Sequence, residues 1–464
     1  MIQTLTVLTA LIVILLSFTS CYAVEYTLED LYKIALERSE RIKISAEDVV
    51  IAEKTKDKAM SFLMPRLSAN SNYTRFTDSK VGDNNSYIQP TDRTGFELRL
   101  DQSASLGGKE ITAFRITKDN IQKSKQDLYA VKEDYMLNVT AAYYDTLRID
   151  KLSQIAQANV DRVKKYRDAA ATRLKVGEIT KTVLLRAEAE LSGAQSELIR
   201  TENNYKLAKT ILSRVVGLEG DYQLKEGYQP LDVASGQLDA FVIEGCQTMS
   251  VDCLKEKANS DRADLKALQI QKKIAEDQVS FAKGSYWPTL AVEGAYVKRD
   301  ETLETGGLVK DSLYGGVRLS FPFFEGGLRV AEVQEADAKR RQVDYAYADL
   351  KKNIYVEVET AYLDHMTQKG LLKSLSDQYI FAKENYNSVS KQFDFGLASS
   401  LDVLDANTAL LDAERQLANV IYLYQFSALR LKRATGVLLS TIMNSTSGTL
   451  NKTSDSSKLT KEKS

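Results

Sequence analysis

The chain has 464 residues, with 62 Lys and Arg against 63 Asp and Glu, five prolines, three cysteines and one histidine. A formal net charge of −1 supplies no field for gathering nucleic acid, and no local run of basic residues supplies one either. So few histidines and cysteines leave the usual zinc sites and histidine-based catalytic constellations without ligands or bases, which argues against an enzyme and against a bound cofactor.

In chain order, Met1 to Val24 carry no charged side chain, and Leu8 to Phe18 is almost wholly apolar before Thr19-Ser20-Cys21-Tyr22-Ala23. This predicts a signal peptide over residues 1–23, cut after Ala23. Two alternatives stand beside it. An uncleaved membrane helix fits poorly with the six Ser and Thr residues of the stretch, and lipidation of Cys21 would follow an indifferent Phe18-Thr19-Ser20. The prolines at 65, 90, 230, 288 and 322 leave two stretches of about 140 residues free of them, so very long helices are allowed.

A helix is predicted from Leu28 to Met64, stopped at Pro65. Phe96, Leu98 and Leu100 then alternate with Glu97, Arg99 and Asp101, the period of a strand with two unlike faces. At about ten residues the run is long enough to cross a bilayer at a tilt, although alternation suits a half-buried soluble hairpin equally. A helix from Gly108 to Arg173 follows, about 100 Å long at 1.5 Å per residue. After Gly177, Leu184, Leu191, Ala194, Leu198, Tyr205, Ala208, Leu212 and Val215 form a heptad seam. Residues 218–250 read as a linker, and Cys246 and Cys253 are either a disulfide in an oxidising compartment or two unpaired thiols.

The same order then returns. Ala142-Tyr143 with Asp145 reappears as Ala361-Tyr362 with Asp364, and Gly107-Gly108, Gly177 and Gly217 as Gly326-Gly327, Gly396 and Gly436, all at an offset of 219. Upstream, Pro65-Arg66-Leu67 matches Pro288-Thr289-Leu290 at an offset of 223, so the first copy holds four extra residues before Gly107, expected in a loop. The second copy has its first helix at Asp252 to Tyr286, an alternating run at Val317, Leu319 and Phe321, a long helix from Leu328 to Phe393, and a heptad seam from Val403 to Ala434. The mature chain is thus a tandem duplication, residues 24–217 and 251–436, with a tail over 437–464 expected to be disordered. His365 lies mid-helix without a partner pattern and reads as a helix-surface residue. Four strands cannot close a membrane barrel, and open edges in lipid are excluded, so several chains would each donate four; a cyclic trimer gives twelve.

The segment Phe395-Gly396-Leu397-Ala398-Ser399-Ser400-Leu401-Asp402-Val403-Leu404-Asp405-Ala406 closely resembles the corresponding part of the TolC family of outer-membrane channel proteins. So do Ser320-Phe321-Pro322-Phe323-Phe324-Glu325-Gly326-Gly327 and Thr360-Ala361-Tyr362, and the resemblance covers nearly the whole mature chain. It implies a mainly α fold with a membrane β-barrel portion: a homotrimer whose twelve-stranded barrel continues into a long coiled-coil tunnel across the periplasm. It further implies a passive exit duct for efflux pumps or type I secretion, working with a periplasmic adaptor and an inner-membrane transporter. The alternative from another class is a periplasmic coiled-coil scaffold or adaptor without a pore.

The resemblance places Asp402 and Asp405 at the tunnel entrance, where a trimer would gather six carboxylates, favour cations and raise some of their pKa values. Ser399 and Asp402 also fit an ordinary capping box, and Asp405 a solvated face. The family's closing latch uses a basic residue, a tyrosine and an aspartate where this chain has Ala398, Phe393 and Val183; Thr182 is retained. Arg186, the first-copy counterpart of Asp405, is therefore the candidate partner for Asp402 or Asp405. Gly177, Ile179, Gly396 and Leu397 mark the tips where the adaptor would dock, with Ile179 and Leu397 as the contact candidates.

Overall fold

The computed structural model describes residues 24–83, 85–225, 243–246, 249–302, 305 and 308–444. The signal-peptide reading, Cys21 and residues 445–464 of the tail lie outside the described residues. Along the chain, β1 (Val24–Tyr26) leads to α1 (Leu28–Arg38), α2 (Glu40–Ser61), β2 (Arg66–Arg75), the short β3 (Lys80–Val81) and β4 (Tyr87–Gln89), β5 (Asp92–Ser105), α3 (Lys109–Lys175) and α4 (Lys181–Val216). After β6 (Tyr222–Leu224) come α5 (Val251–Asp261), α6 (Ala263–Lys283), β7 (Thr289–Glu301), β8 (Asp311–Ser320), α7 (Leu328–Asp394) and α8 (Ser400–Ala434). The two long helices, α3 and α7, have 67 residues each.

Three expectations are corrected. Leu28 to Met64 is two helices, because Ser39 adopts ψ 120°, and Asp252 to Tyr286 is likewise split at Arg262, where ψ is 124°. The two breaks lie 223 residues apart, the offset of this part of the duplication, so the kink is a shared feature that no Pro or Gly announces. The tail does not lose order at residue 437. Gly436 takes φ +75°, Val437 N–H bonds back to the Lys432 carbonyl at 3.0 Å, and a helical turn over 438–444 buries Leu438, Leu439 and Ile442. His365, finally, is 3 % exposed and therefore not a surface residue.

The chain divides into two compact units. One comprises the described residues within 24–40, 132–258 and 357–444. Its core is made of the heptad seams: Leu191 and Ala194 of α4 pack with Val160 and Val163 of α3, and Val420 and Tyr424 of α8 with Leu372 of α7. Each pair is an antiparallel helical hairpin closed by burial of one apolar stripe per helix. Parallel pairing of β1 with β6 ties the linker to the start of the described chain, and Cys246 and Cys253 are joined by a disulfide with their Cα atoms 5.9 Å apart.

The other unit, residues 41–131 and 259–356, holds an antiparallel sheet in the order β2-β5-β7-β8. Period 2 and the register together give it two chemically opposite faces. Leu98 stands opposite Ala69 and Tyr296, Leu100 opposite Leu67, Leu290 opposite Leu319, and Val292 opposite Val317, so one face is aliphatic and aromatic. The other carries Arg99, whose guanidinium bonds Asp101 at 2.8 Å and Glu293 at 2.5 Å, with Arg318 3.5 Å from Glu293. Among the described residues nothing pairs with the outer edge of β2 or of β8. The β2–β5 connection, residues 76–91, carries the small β3–β4 hairpin, and its second-copy counterpart spans only 302–310, so the insertion falls in a loop. No described helix is long and apolar enough to cross a membrane.

Candidate functional site

The candidate site is built where each hairpin reverses. At both tips the long helix ends in a glycine with positive φ, +79° at Gly177 and +74° at Gly396. The next N–H reaches back five residues, Glu178 to the Arg173 carbonyl at 2.9 Å and Leu397 to the Gln392 carbonyl at 2.8 Å. This is the Schellman arrangement, which satisfies carbonyls a helix end would otherwise leave bare. A Cβ at either glycine would meet nothing within 4 Å, so glycine is needed here for its backbone and not for space.

The returning helices start differently. Ser399 caps α8 with a complete capping box: its hydroxyl accepts Asp402 N–H at 3.3 Å, and its own N–H donates to Asp402 Oδ2 at 2.8 Å. The equivalent Thr180 makes no side-chain cap bond: the Val183 N–H bonds to the Thr180 carbonyl at 3.1 Å, and Val183, at the position of Asp402, has no carboxylate to return a bond. The bond from the Ser399 hydroxyl, followed by that from its backbone N–H, holds the Asp402 carboxyl below its ordinary range in a single chain. Asp402 therefore does fill the capping role that its spacing allows, while its side chain stays exposed. Asp405, Thr182 and Arg186 are exposed as well, and no ion pair joins Arg186 to either aspartate within one chain.

Beneath the tips, Tyr166, Ala170, Ala187, Phe393 and Val403 form a buried cluster that draws on both copies. Ile179 and its counterpart Ala398 pack against this cluster, so Ile179 supports the tip from inside. In the two turns themselves the exposed large apolar side chains are Val176, its counterpart Phe395, and Leu397, the last two about four-fifths exposed at 81 % and 78 %. Val176 and Phe395 were not singled out from the sequence, although their position one residue before each glycine was available as a signal.

Sequence reasoning also missed the polar contacts that join the two copies. Arg173 lies over the Phe393 ring, 4.3 Å from its centroid, and donates to the carbonyls of Phe393 and Asp394 at 2.5 and 2.9 Å. Tyr166 Oη meets Ser400 Oγ at 2.5 Å. Farther along α3 and α8, Arg162 forms a two-pronged pair with Glu414 at 3.1 and 2.9 Å and donates to Asn407 Oδ1 at 3.1 Å, while Asn407 donates to Asn159 at 3.0 Å. Each hairpin is sealed within itself by apolar packing, and hairpin meets hairpin through these oriented polar groups together with the apolar cluster beneath the tips. No described cluster of His, Cys, Asp or Glu could hold a metal.

Comparison with known proteins decides the family. The sequence model described as outer membrane efflux protein matches residues 31–218 and again residues 254–437. The chain belongs to the outer membrane efflux protein family. Outer membrane protein TolC of Vibrio cholerae is 27% identical over 319 residues, 67% of this chain and 69% of that protein. Alkaline protease secretion protein AprF of Pseudomonas aeruginosa is 21% identical over 88% of this chain and 84% of its own length. The crystal structure of the CmeC outer membrane channel of Campylobacter jejuni superposes with a TM-score of 0.76 at 16% identity, covering 89% of this chain and 86% of that one. Members of the outer membrane efflux protein family are transport proteins of the outer membrane and not enzymes, and the poreless scaffold loses its support.

Proposed function

We propose that three copies of this chain close their sheets into one twelve-stranded barrel and together serve as a passive exit duct for an efflux pump or a type I secretion system. A periplasmic adaptor and an inner-membrane transporter deliver cargo to it. The observation that carries this reading is the four-stranded sheet with one apolar face, one charged face and two open edges. In lipid, each unpaired backbone group costs several kcal/mol, roughly the loss of a hydrogen bond in hydrocarbon, so the edges require partners. With the apolar face toward lipid, the Arg99–Glu293 face lines water. The printed names of AprF and CmeC, one a secretion protein and one a channel, support the same reading.

In this duct the hairpin tips form the entrance. Asp402 and Asp405 supply its carboxylates, Arg186 pairs with them between chains, and Val176, Phe395 and Leu397 offer the adaptor an apolar contact. Arg173 and the Arg162–Glu414 pair hold the second hairpin against the first in the closed entrance. Cysteines placed singly on the β2 edge and the β8 edge, and oxidised in native outer membranes, test the closure. Covalent ladders should stop at three chains, and a scan yielding only monomers would sink the barrel.

A further inference from the structure

The one histidine of the chain is the only side chain whose ordinary titration falls between pH 5 and 8. It is buried inside the second hairpin. The imidazole of His365, on α7, stacks on Tyr424 of α8 with centroids 5.2 Å apart and planes at 21°. Its Nδ1 lies 3.0 Å from the Ser427 hydroxyl, and that hydroxyl donates its single proton to the Tyr424 carbonyl at 2.7 Å. Ser427 can then only accept, so Nδ1 carries the proton and the neutral ring is held in one tautomer.

The duplication supplies an internal comparison. At the offset of 219, His365 corresponds to Thr146 and Ser427 to Ala208. Thr146 is equally buried and its hydroxyl donates to the Ala142 carbonyl at 2.7 Å, with the Ala208 carbonyl at 3.4 Å. The first hairpin thus fills the same place with a group that does not titrate.

We propose that His365 makes the second hairpin, and not the first, acid-labile, protonation of the ring loosening α7 from α8 around residues 365 and 427. Among the described residues, the two charges that act on the ring oppose each other. On α7, Lys369 opposes an imidazolium one turn on, and Asp364, which favours it, is shared with Gln368 at 3.2 Å and with Arg430 of α8 at 3.5 Å. From α8 the ring faces the Tyr424 phenol ring and the Ser427 hydroxyl, while the charge on that helix, Arg430, reaches Asp364. Burial, and then Lys369, keeps the imidazole below its ordinary value of 6.5, with Asp364 acting the other way. The unfolded hairpin takes up a proton near 6.5 and the folded one resists until lower pH, so stability falls as pH drops through that window. Between pH 7.5 and 5.0 the folding equilibrium weakens by at most about 30-fold per chain.

The test uses the full-length protein in detergent, purified without a polyhistidine tag and labelled at the imidazole carbon, so that one ring signal reports one site. Its midpoint should lie below 6.5. Hydrogen exchange, corrected for intrinsic rates, should speed up at pH 5.0 in residues 360–370 and stay unchanged in 141–151. His365→Thr, which installs the first copy's residue, should abolish the acceleration. A midpoint at or above 6.5, equal acceleration in both hairpins, or an acid response that survives in His365→Thr would overturn the proposal. None of these readouts requires the protein to conduct, so the channel reading stands or falls separately.

Discussion

Arg173 is the residue on which the tip depends most directly. Its guanidinium, largely withdrawn from solvent, satisfies two carbonyls at the end of α7 and covers Phe393. Arg173→Ala removes both of these bonds, leaving the Phe393 carbonyl with only the Gly396 N–H at 2.9 Å, and removes the stacking, a loss of about 1–3 kcal/mol for hydrogen bonds to a charged group. The expected results are a lower unfolding midpoint in detergent and a larger single-channel conductance, and a variant with unchanged conductance would remove Arg173 from the closed entrance. Ser399→Ala should cost about 1 kcal/mol through loss of the capping box, whereas Thr180→Ala should cost almost nothing, because Thr180 makes no cap bond. Thermal unfolding of the two variants side by side checks this asymmetry. Because Ser399 depresses the Asp402 carboxyl, that contribution is present above the ordinary value of 3.8 and is lost as pH falls through the lowered one.

At the scale of elements, the long helices, the heptad helices and the strands β5 and β8 trace to patterns readable in advance, whereas the short strands β1, β3, β4 and β6 and the helical turn after Gly436 do not. Period-2 alternation at Phe96, Leu98 and Leu100 does form a strand with unlike faces, and the heptad positions Leu191, Ala194, Leu410 and Ala413 are buried. The kinks at Ser39 and Arg262 carry no Pro or Gly to announce them; both residues are buried at the break, and Arg262 pairs there with Asp264. The clamp by Arg173 was hidden for another reason, since it joins residues about 220 apart and no local spacing encodes such a contact. Asp402 was legible as a cap, which the structure shows, and is proposed as an entrance carboxylate. Glycine at the tips is the most testable element feature. Gly396→Ala places a Cβ at φ +74°, at a cost of about 1–2 kcal/mol, and should lower the unfolding midpoint, with Gly177→Ala matching it. A clear difference between the two would mean that tertiary contacts, rather than backbone conformation, hold one of the tips.

For the whole molecule, the duplication has kept the scaffold and divided the chemistry. Both copies supply a 67-residue helix, a pair of long strands and a glycine-turned tip, yet the capping box at the tip, the Asp402–Asp405 pair and His365 belong to the second alone. The first copy contributes the groups that hold it, Arg162, Tyr166 and Arg173. The proposed exit duct has a cation-favouring entrance, and planar-bilayer conductance tests it most directly, wild type beside Asp402→Ala with Asp405→Ala. The account predicts a small cation-selective conductance whose selectivity is lost in the double variant. A purified oligomer that never conducts would contradict the channel, and a selectivity indifferent to both substitutions would contradict the carboxylate entrance.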